Sequence, residues 1–130
     1  MYIGFVEFMS QSLINNYHAP IANKDVSIDE LPTIPCLRFS TLMNLVNVPK
    51  IDIWVLDVEG AEESVLMGTD FNKVRIDTIV MECDNSDRER DNRKRKILQD
   101  NSFTCELISN DCICKHKTFQ PSSRANPKKL

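Results

Sequence analysis

The sequence predicts an α/β fold with a pair of parallel strands and an antiparallel hairpin at its C-terminal end. An apolar run broken only by Asp52 covers residues 51–56 and predicts a strand that is buried on both faces. A second run over residues 76–82 ends in Glu82. Between the second run and two period-two segments around Asn110-Asp111 lies a charged stretch, residues 86–101, without proline or glycine. Strand, helix, strand, helix and hairpin in this order are typical of α/β proteins.

The pattern divides the chain into three parts. We expect an N-terminal helix and an irregular, proline-containing arm over residues 1–34, a globular part over residues 35–120 and a flexible tail over residues 121–130. Within the globular part, Ser40 is the expected N-cap of a helix over residues 39–47. A second helix is expected over residues 60–67, with Gly68 as a left-handed C-cap. The inward side chains expected on the first helix are Leu42, Met43, Leu45 and Val46.

Composition argues for a cytoplasmic protein without a nucleic-acid partner. The formal net charge of −3 argues against a general nucleic-acid binder. No apolar run approaches the roughly 18 residues that a membrane span requires, and the N-terminus lacks the basic region of a secretory signal. The cysteines form an odd set without a disulfide-framework spacing, so we expect free thiols in a reducing compartment. They are Cys36, Cys83, Cys105, Cys112 and Cys114.

Two further patterns have a plain structural explanation that we favour. Cys112-x-Cys114-x-His116 suggests zinc, but alternate strand residues lie about 6.6 Å apart and do not converge on one ion. Packing of small thiols is the favoured explanation, and no metal site is predicted. The basic stretch at residues 93–96 resembles a nuclear-localisation or phosphate-binding patch. Its neighbours have mixed charge, which favours a solvated helix face.

A cluster of acids follows the first apolar run. Asp57, Glu59, Glu62 and Glu63 surround Gly60 where the pattern changes from strand to helix, and Glu82 ends the second run. Open α/β sheets place their ligands at the carboxyl edge of the strands. Carboxylates there can bind a hard cation, hold ribose hydroxyls or accept a proton. The helix dipole also stabilises acids in a first helical turn. This effect explains the presence of Glu62 and Glu63, but not that of Asp57 at the end of a strand.

Glycine is scarce. The chain has three glycines, and none belongs to a Gly-x-Gly-x-x-Gly or Walker-type loop. Such loops need glycine because the backbone approaches the ligand closely. The sequence therefore does not encode a complete nucleotide site.

The segment Ile51-Asp-Ile-Trp-Val-Leu-Asp-Val-Glu-Gly-Ala-Glu-Glu-Ser-Val-Leu-Met-Gly68 resembles the signature of FkbM-type methyltransferases. The resemblance continues in Cys36-Leu-Arg-Phe-Ser-Thr-Leu42, in Asp70-Phe and in Ile76-Asp-Thr-Ile-Val-Met-Glu82, and it covers about residues 35–122. The resemblance implies a partial Rossmann-like methyltransferase fold. It also implies an enzyme that transfers a methyl group from S-adenosylmethionine to an oxygen of a sugar, glycan or small-molecule acceptor.

The resemblance also implies roles for the acids. Asp57, Glu59 and Glu82 would be catalytic, and Glu62 would contact the substrate. Residues implied to contact the cofactor are Asp57, Val58, Glu59 and Gly60.

Members of this family carry a Gly-rich loop before this segment, so residues 35–120 resemble the C-terminal half of the domain. We therefore expect a fragment that exposes a sheet edge and self-associates through it. Two alternatives are a hydrolase with a divalent metal on Asp57 and Glu82, and a non-catalytic remnant that acts as an interaction module.

Overall fold

The computed structural model describes residues 14–15, 23, 27–33, 35–83 and 87–120. Of the predicted N-terminal helix only residues 14–15 are described, and both are helical. The predicted flexible tail over residues 121–130 and most of the predicted irregular arm lie outside the described residues.

From residue 27 onward, the described residues form a short 3-10 helix at Ile28–Glu30, three α-helices and four strands. The four strands make one sheet in the order β1-β2-β4-β3. β1 is parallel to β2, whereas β4 is antiparallel to both β2 and β3. The predicted parallel pair and antiparallel hairpin are thus confirmed. In chain order the elements are α1 Phe39–Leu45, β1 Lys50–Leu56, α2 Glu62–Met67, β2 Arg75–Glu82, α3 Arg88–Asp100, β3 Phe103–Ile108 and β4 Asp111–His116.

The hydrophobic core lies on one face of this sheet. The register pairs Leu56 with Met81 and Met81 with Cys112, so these side chains project to the same face. Leu66 of α2 and Leu98 of α3 belong to the same buried cluster. The two helices therefore cover this face because each contributes an apolar residue to it.

The prediction that β1 is buried on both faces is wrong. Ile53 and Val55 are 66% and 67% exposed, whereas Leu56 is 2% exposed. A continuous apolar run is typical of a strand covered on both sides, but no described residue covers the face that carries Ile53 and Val55. β1 is also one of the two edge strands of the sheet that the described residues form, and β3 is the other.

The first helix and its cap differ from the prediction. Its N-cap is Arg38, without a side-chain cap bond, and Ser40 lies buried inside the helix. The helix packs through Phe39, whose ring stacks on Trp54 with centroids 4.0 Å apart. Of the four predicted inward residues, Met43 packs against the core, whereas Leu42, Leu45 and Val46 are exposed.

The end of α2 also differs from the prediction. Gly68 is not left-handed, with φ −80° and ψ −2°. The chain leaves α2 instead with a bond from the Thr69 hydroxyl to the Val65 carbonyl, 2.8 Å long.

The prediction of free thiols is wrong for four of the five cysteines, because Cys83–Cys112 and Cys105–Cys114 are disulfides. The pairs follow from the strand register. Cys105 lies opposite Cys114, and Cys83 directly follows the last residue of β2, whose penultimate residue Met81 pairs with Cys112. Cross-strand pairs of this kind leave no framework spacing in the sequence. The predicted burial of the cysteines on the apolar face is confirmed for Cys112 and Cys114, both 0% exposed.

No helix in the described part of the chain is long and apolar enough to cross a membrane. The cytoplasmic location stays a prediction, and it loses the support that free thiols would have given it.

Charged groups meet at the end of the sheet where β1 and β2 begin. Lys50 and Arg75 bind the carboxylate of Asp77 at 3.0 and 2.8 Å. Burial raises the pKa of Asp77, but the bonds from Lys50 and Arg75 outweigh it and hold that pKa below its ordinary value. This end of the parallel pair is therefore fixed by charge-assisted bonds.

We expect His116 to make the fold less stable in mild acid. Burial lowers the pKa of His116, and the nearby Arg75 lowers it further, while its Nδ1 accepts the Thr118 amide at 3.3 Å. The unfolded chain therefore takes up the proton more readily, so stability is lost as the pH falls through and below about 6.5. Urea unfolding at pH 7.5 and 5.5 checks this. The loss should shrink in His116→Gln, and an equal loss in both proteins would contradict it.

We expect the chain to self-associate through the exposed edge of β1. An antiparallel pairing of two β1 strands centred on Ile53 would set Ile51 of one copy opposite Val55 of the other and pair all seven residues of β1. Ile53→Lys should raise the dimer Kd roughly tenfold or more, since it places two charges opposite each other at the centre of the paired strands. Sedimentation velocity measures the dimer. Leu45→Lys is the matched control because Leu45 is 68% exposed on α1. A monomeric wild type, or an equal effect of both variants, would show that β1 is not the interface.

Candidate functional site

A cavity of about 280 Å³ lies at the carboxyl edge of β1 and β2. Its aliphatic wall comes from the last residues of these strands, and its polar wall comes from four carboxylic acids. The lining residues are Val55, Leu56, Asp57, Glu59, Val80, Met81, Glu82 and Asp111.

Strand register places the predicted acids together. Leu56 pairs with Met81 in the parallel ladder, so the next residues, Asp57 and Glu82, leave the sheet at the same edge. Both line the cavity, and Glu59 lines it from the turn that follows β1. The three residues predicted to be catalytic thus share one cavity, although their roles stay predictions.

The fourth acid, Asp111, was not predicted from the sequence. It is the first residue of β4 and the register partner of Glu82. The signal was present in the topology, because an antiparallel strand that joins β2 begins at the edge where β2 ends. The sequence showed Asn110-Asp111 only as a turn.

The turn between β1 and α2 has an unusual backbone. Glu59 has φ 53° and Gly60 has φ 102°. Gly60 adopts this conformation without a steric penalty, whereas a residue with a side chain costs of order 1–3 kcal/mol in a sparsely populated region. Some contact must therefore hold Glu59 in the left-handed conformation.

Glu62 supplies that contact. Its side chain is 2% exposed, and its Oε1 accepts hydrogen bonds from the backbone N–H groups of Val58 and Gly60, each 3.1 Å long. The turn is also closed by a bond from the Ala61 N–H to the Val58 carbonyl, 3.3 Å long. A buried carboxylate that accepts two amides is well satisfied, so Glu62 fixes the turn from inside.

Val58, Gly60 and Glu62 do not line the cavity. The amides of Val58 and Gly60 are already bonded to Glu62. The predicted contacts of Val58 and Gly60 with a cofactor, and of Glu62 with a substrate, stay predictions. In this structure the three residues shape the turn that carries Asp57 and Glu59.

Helix α3 holds the surroundings of the cavity through two adjacent residues. Arg93 binds Glu63 of α2 through two bonds of 2.7 and 3.0 Å, and the Arg93 guanidinium lowers the pKa of Glu63. Lys94 is 3% exposed; it binds Asp91 at 2.9 Å and donates to the Glu82 carbonyl at 2.6 Å. The predicted solvated face of α3 is therefore wrong for Lys94, because a buried ammonium needs these partners.

The polar wall suits a positively charged ligand. Carboxylates attract a cation more strongly beside an aliphatic wall than in open water. They also accept protons from a bound hydroxyl. No group of three His, Cys, Asp or Glu residues in the described part of the chain is arranged to hold a metal ion.

One family model matches the chain. The model of the methyltransferase FkbM domain covers residues 10–111, which include both strands of the cavity and the whole turn. Neither the curated proteins nor the solved structures gave a match. The alternative of a hydrolase with a divalent metal is not favoured, because the family model that matches the chain is that of a methyltransferase domain.

We expect the turn to fail when Glu62 is removed. Glu62→Ala leaves two amides without their acceptor and should lower the free energy of unfolding by about 2–3 kcal/mol. Glu62→Gln keeps an acceptor oxygen and should cost less. Chemical denaturation measures both variants. Glu63→Gln is the matched control on the next residue, and it breaks a surface ion pair worth at most about 1 kcal/mol. If Glu62→Ala costs no more than this control, Glu62 does not hold the turn.

Proposed function

Because this chain belongs to the FkbM methyltransferase family, we propose that its cavity serves methyl transfer from S-adenosylmethionine to an oxygen of a sugar or another small acceptor. The observation that carries the proposal is the meeting of four carboxylates and an aliphatic wall at the carboxyl edge of two parallel strands. Ligands of open α/β sheets bind at this edge.

The cavity fits the charged part of the cofactor. S-adenosylmethionine carries a sulfonium and an ammonium group, both cationic, and Asp57, Glu59, Glu82 and Asp111 offer negative charge to them. Its volume of about 280 Å³ is near the lower end of ligand pockets, which measure roughly 300–1,000 Å³. We therefore assign to it the cationic portion of the cofactor together with the acceptor oxygen.

The bound cofactor supplies an electrophilic methyl group. The residues of the chain have the complementary task of orienting the acceptor and removing its proton. Asp57 and Glu82 are the proposed proton acceptors because Asp57 directly follows β1, Glu82 ends β2, and both line the cavity. Orientation of the hydroxyl in a fixed cavity and proton removal by a carboxylate are both established sources of rate enhancement.

The adenosine portion needs further groups. The sequence contains no Gly-rich cofactor loop, and such a loop is what lets backbone approach a nucleotide closely. We propose that residues 35–120 supply one half of the methyltransferase site, namely the carboxylate half.

Asp57→Asn should weaken the binding of S-adenosylmethionine. Loss of one charge-assisted contact costs about 1.5–3 kcal/mol, which is roughly tenfold to a hundredfold in Kd. Isothermal titration of the wild type and the variant measures this.

Asp52→Asn is the matched control for this titration. Asp52 lies on β1, the strand that Asp57 follows; its side chain is 81% exposed, and it binds Lys50 at the far end of β1. It should bind the cofactor as the wild type does. No detectable heat with the wild type, or equal affinities of the wild type and Asp57→Asn, would refute the proposed site.

A further inference from the structure

We propose that the Cys83–Cys112 disulfide is a redox-sensitive staple of the candidate site. Its reduction by a dithiol would loosen the wall formed by Glu82 and Asp111 and weaken ligand binding there. The binding part of this inference rests on the proposed function; the loosening of the wall does not.

Both cysteines of the staple are next in sequence to residues that line the cavity. Cys83 directly follows Glu82, and Cys112 directly follows Asp111. Both acids line the cavity, and they are register partners across β2 and β4. One covalent bond thus ties together the two backbone segments that position half of the carboxylates.

The staple also lies where the β2–β4 ladder ends. Glu82 and Asp111 are the last register pair, and the next link is a 2.7 Å bond from the Cys83 N–H to the Asn110 carbonyl. Lys94 holds the same end of β2 through the Glu82 carbonyl. Strand ends open more readily than strand centres, so a covalent link at this point has the largest effect on the position of the wall.

The second disulfide provides an internal comparison. Cys105–Cys114 joins register partners within the β3–β4 hairpin, and neither cysteine is next to a residue that lines the cavity. Its two cysteines are 9 residues apart in sequence, against 29 for Cys83 and Cys112. Loss of Cys105–Cys114 should therefore leave the cavity wall in place.

The reduction is a balanced two-electron reaction. A dithiol gives two electrons and two protons, the Cys83–Cys112 bond breaks into two thiols, and the dithiol closes to a cyclic disulfide. Cys83 and Cys112 are 2% and 0% exposed, so a reductant reaches them when the end of the ladder opens. Ligand in the cavity should slow this opening and hence the reduction.

The experiment compares four forms of the protein. All carry Cys36→Ser, so that the exposed cysteine outside the two disulfides cannot exchange with them. The forms are the oxidised chain, the same chain after dithiothreitol, Cys83→Ala with Cys112→Ala, and Cys105→Ala with Cys114→Ala. Intact mass before and after alkylation fixes the redox state of each form.

The first readout is the Kd for S-adenosylmethionine by isothermal titration. We expect the reduced chain and the Cys83/Cys112 variant to bind about tenfold more weakly than the oxidised chain, which corresponds to about 1.4 kcal/mol. The Cys105/Cys114 variant should bind as the oxidised chain does.

The second readout is amide hydrogen exchange without ligand. Peptides that contain residues 81–83 and 110–112 should exchange faster after reduction and in the Cys83/Cys112 variant, but not in the Cys105/Cys114 variant. If the oxidised chain binds no S-adenosylmethionine, the proposed function fails, and exchange alone still decides whether the staple holds the wall.

Three results would overturn the inference. The first is a chain purified without reductant whose mass shows Cys83 and Cys112 as thiols. The second is amide exchange of residues 81–83 and 110–112 that does not change after verified reduction. If the oxidised chain binds S-adenosylmethionine, faster exchange of these residues without a change in the Kd counts in the same way. The third is an equal effect of removing the Cys105–Cys114 disulfide.

Discussion

The candidate site depends on one buried carboxylate. Glu62 accepts the amides of Val58 and Gly60 and so keeps the turn after β1 in a conformation that includes a left-handed Glu59. Without an acceptor at this point, two backbone donors would lose their partner, which is the source of the expected loss of about 2–3 kcal/mol. Residues 57–62, DVEGAE, therefore have two tasks. Glu62 holds the backbone of the turn, whereas Asp57 and Glu59 line the cavity.

Helix α3 extends this constraint to the other strand. Its adjacent residues Arg93 and Lys94 bind Glu63 of α2 and the carbonyl of Glu82 at the end of β2. The Arg93 pair is half exposed and adds little to stability, whereas the buried ammonium of Lys94 would be costly without its partners. Lys94 thus fixes the end of β2 relative to α3, and the acids of both strands keep a common cavity.

Local patterns in the sequence predict the elements and the three strand-edge acids, because hydrophobic period and helix breakers are local, whereas the predicted caps Ser40 and Gly68 differ from the structure. They do not predict what depends on neighbours in space. Ile53 and Val55 look like a doubly buried strand, but their exposure depends on what packs on that face. Asp111 and the two disulfides follow from strand register. Lys94 looks like part of a solvated basic stretch, and only the docking of α3 reveals its buried role.

Amide hydrogen exchange of the whole chain with and without saturating S-adenosylmethionine tests most directly whether the cavity binds the cofactor. If the cavity binds the cofactor, exchange should slow in peptides covering residues 55–61, 80–83 and 110–112, because acids on all three segments line the cavity. Peptides of β3 and of the far end of α3 should be unaffected. Unchanged exchange in the three segments, or protection confined to other parts of the chain, would contradict the assignment of the cavity as the cofactor site.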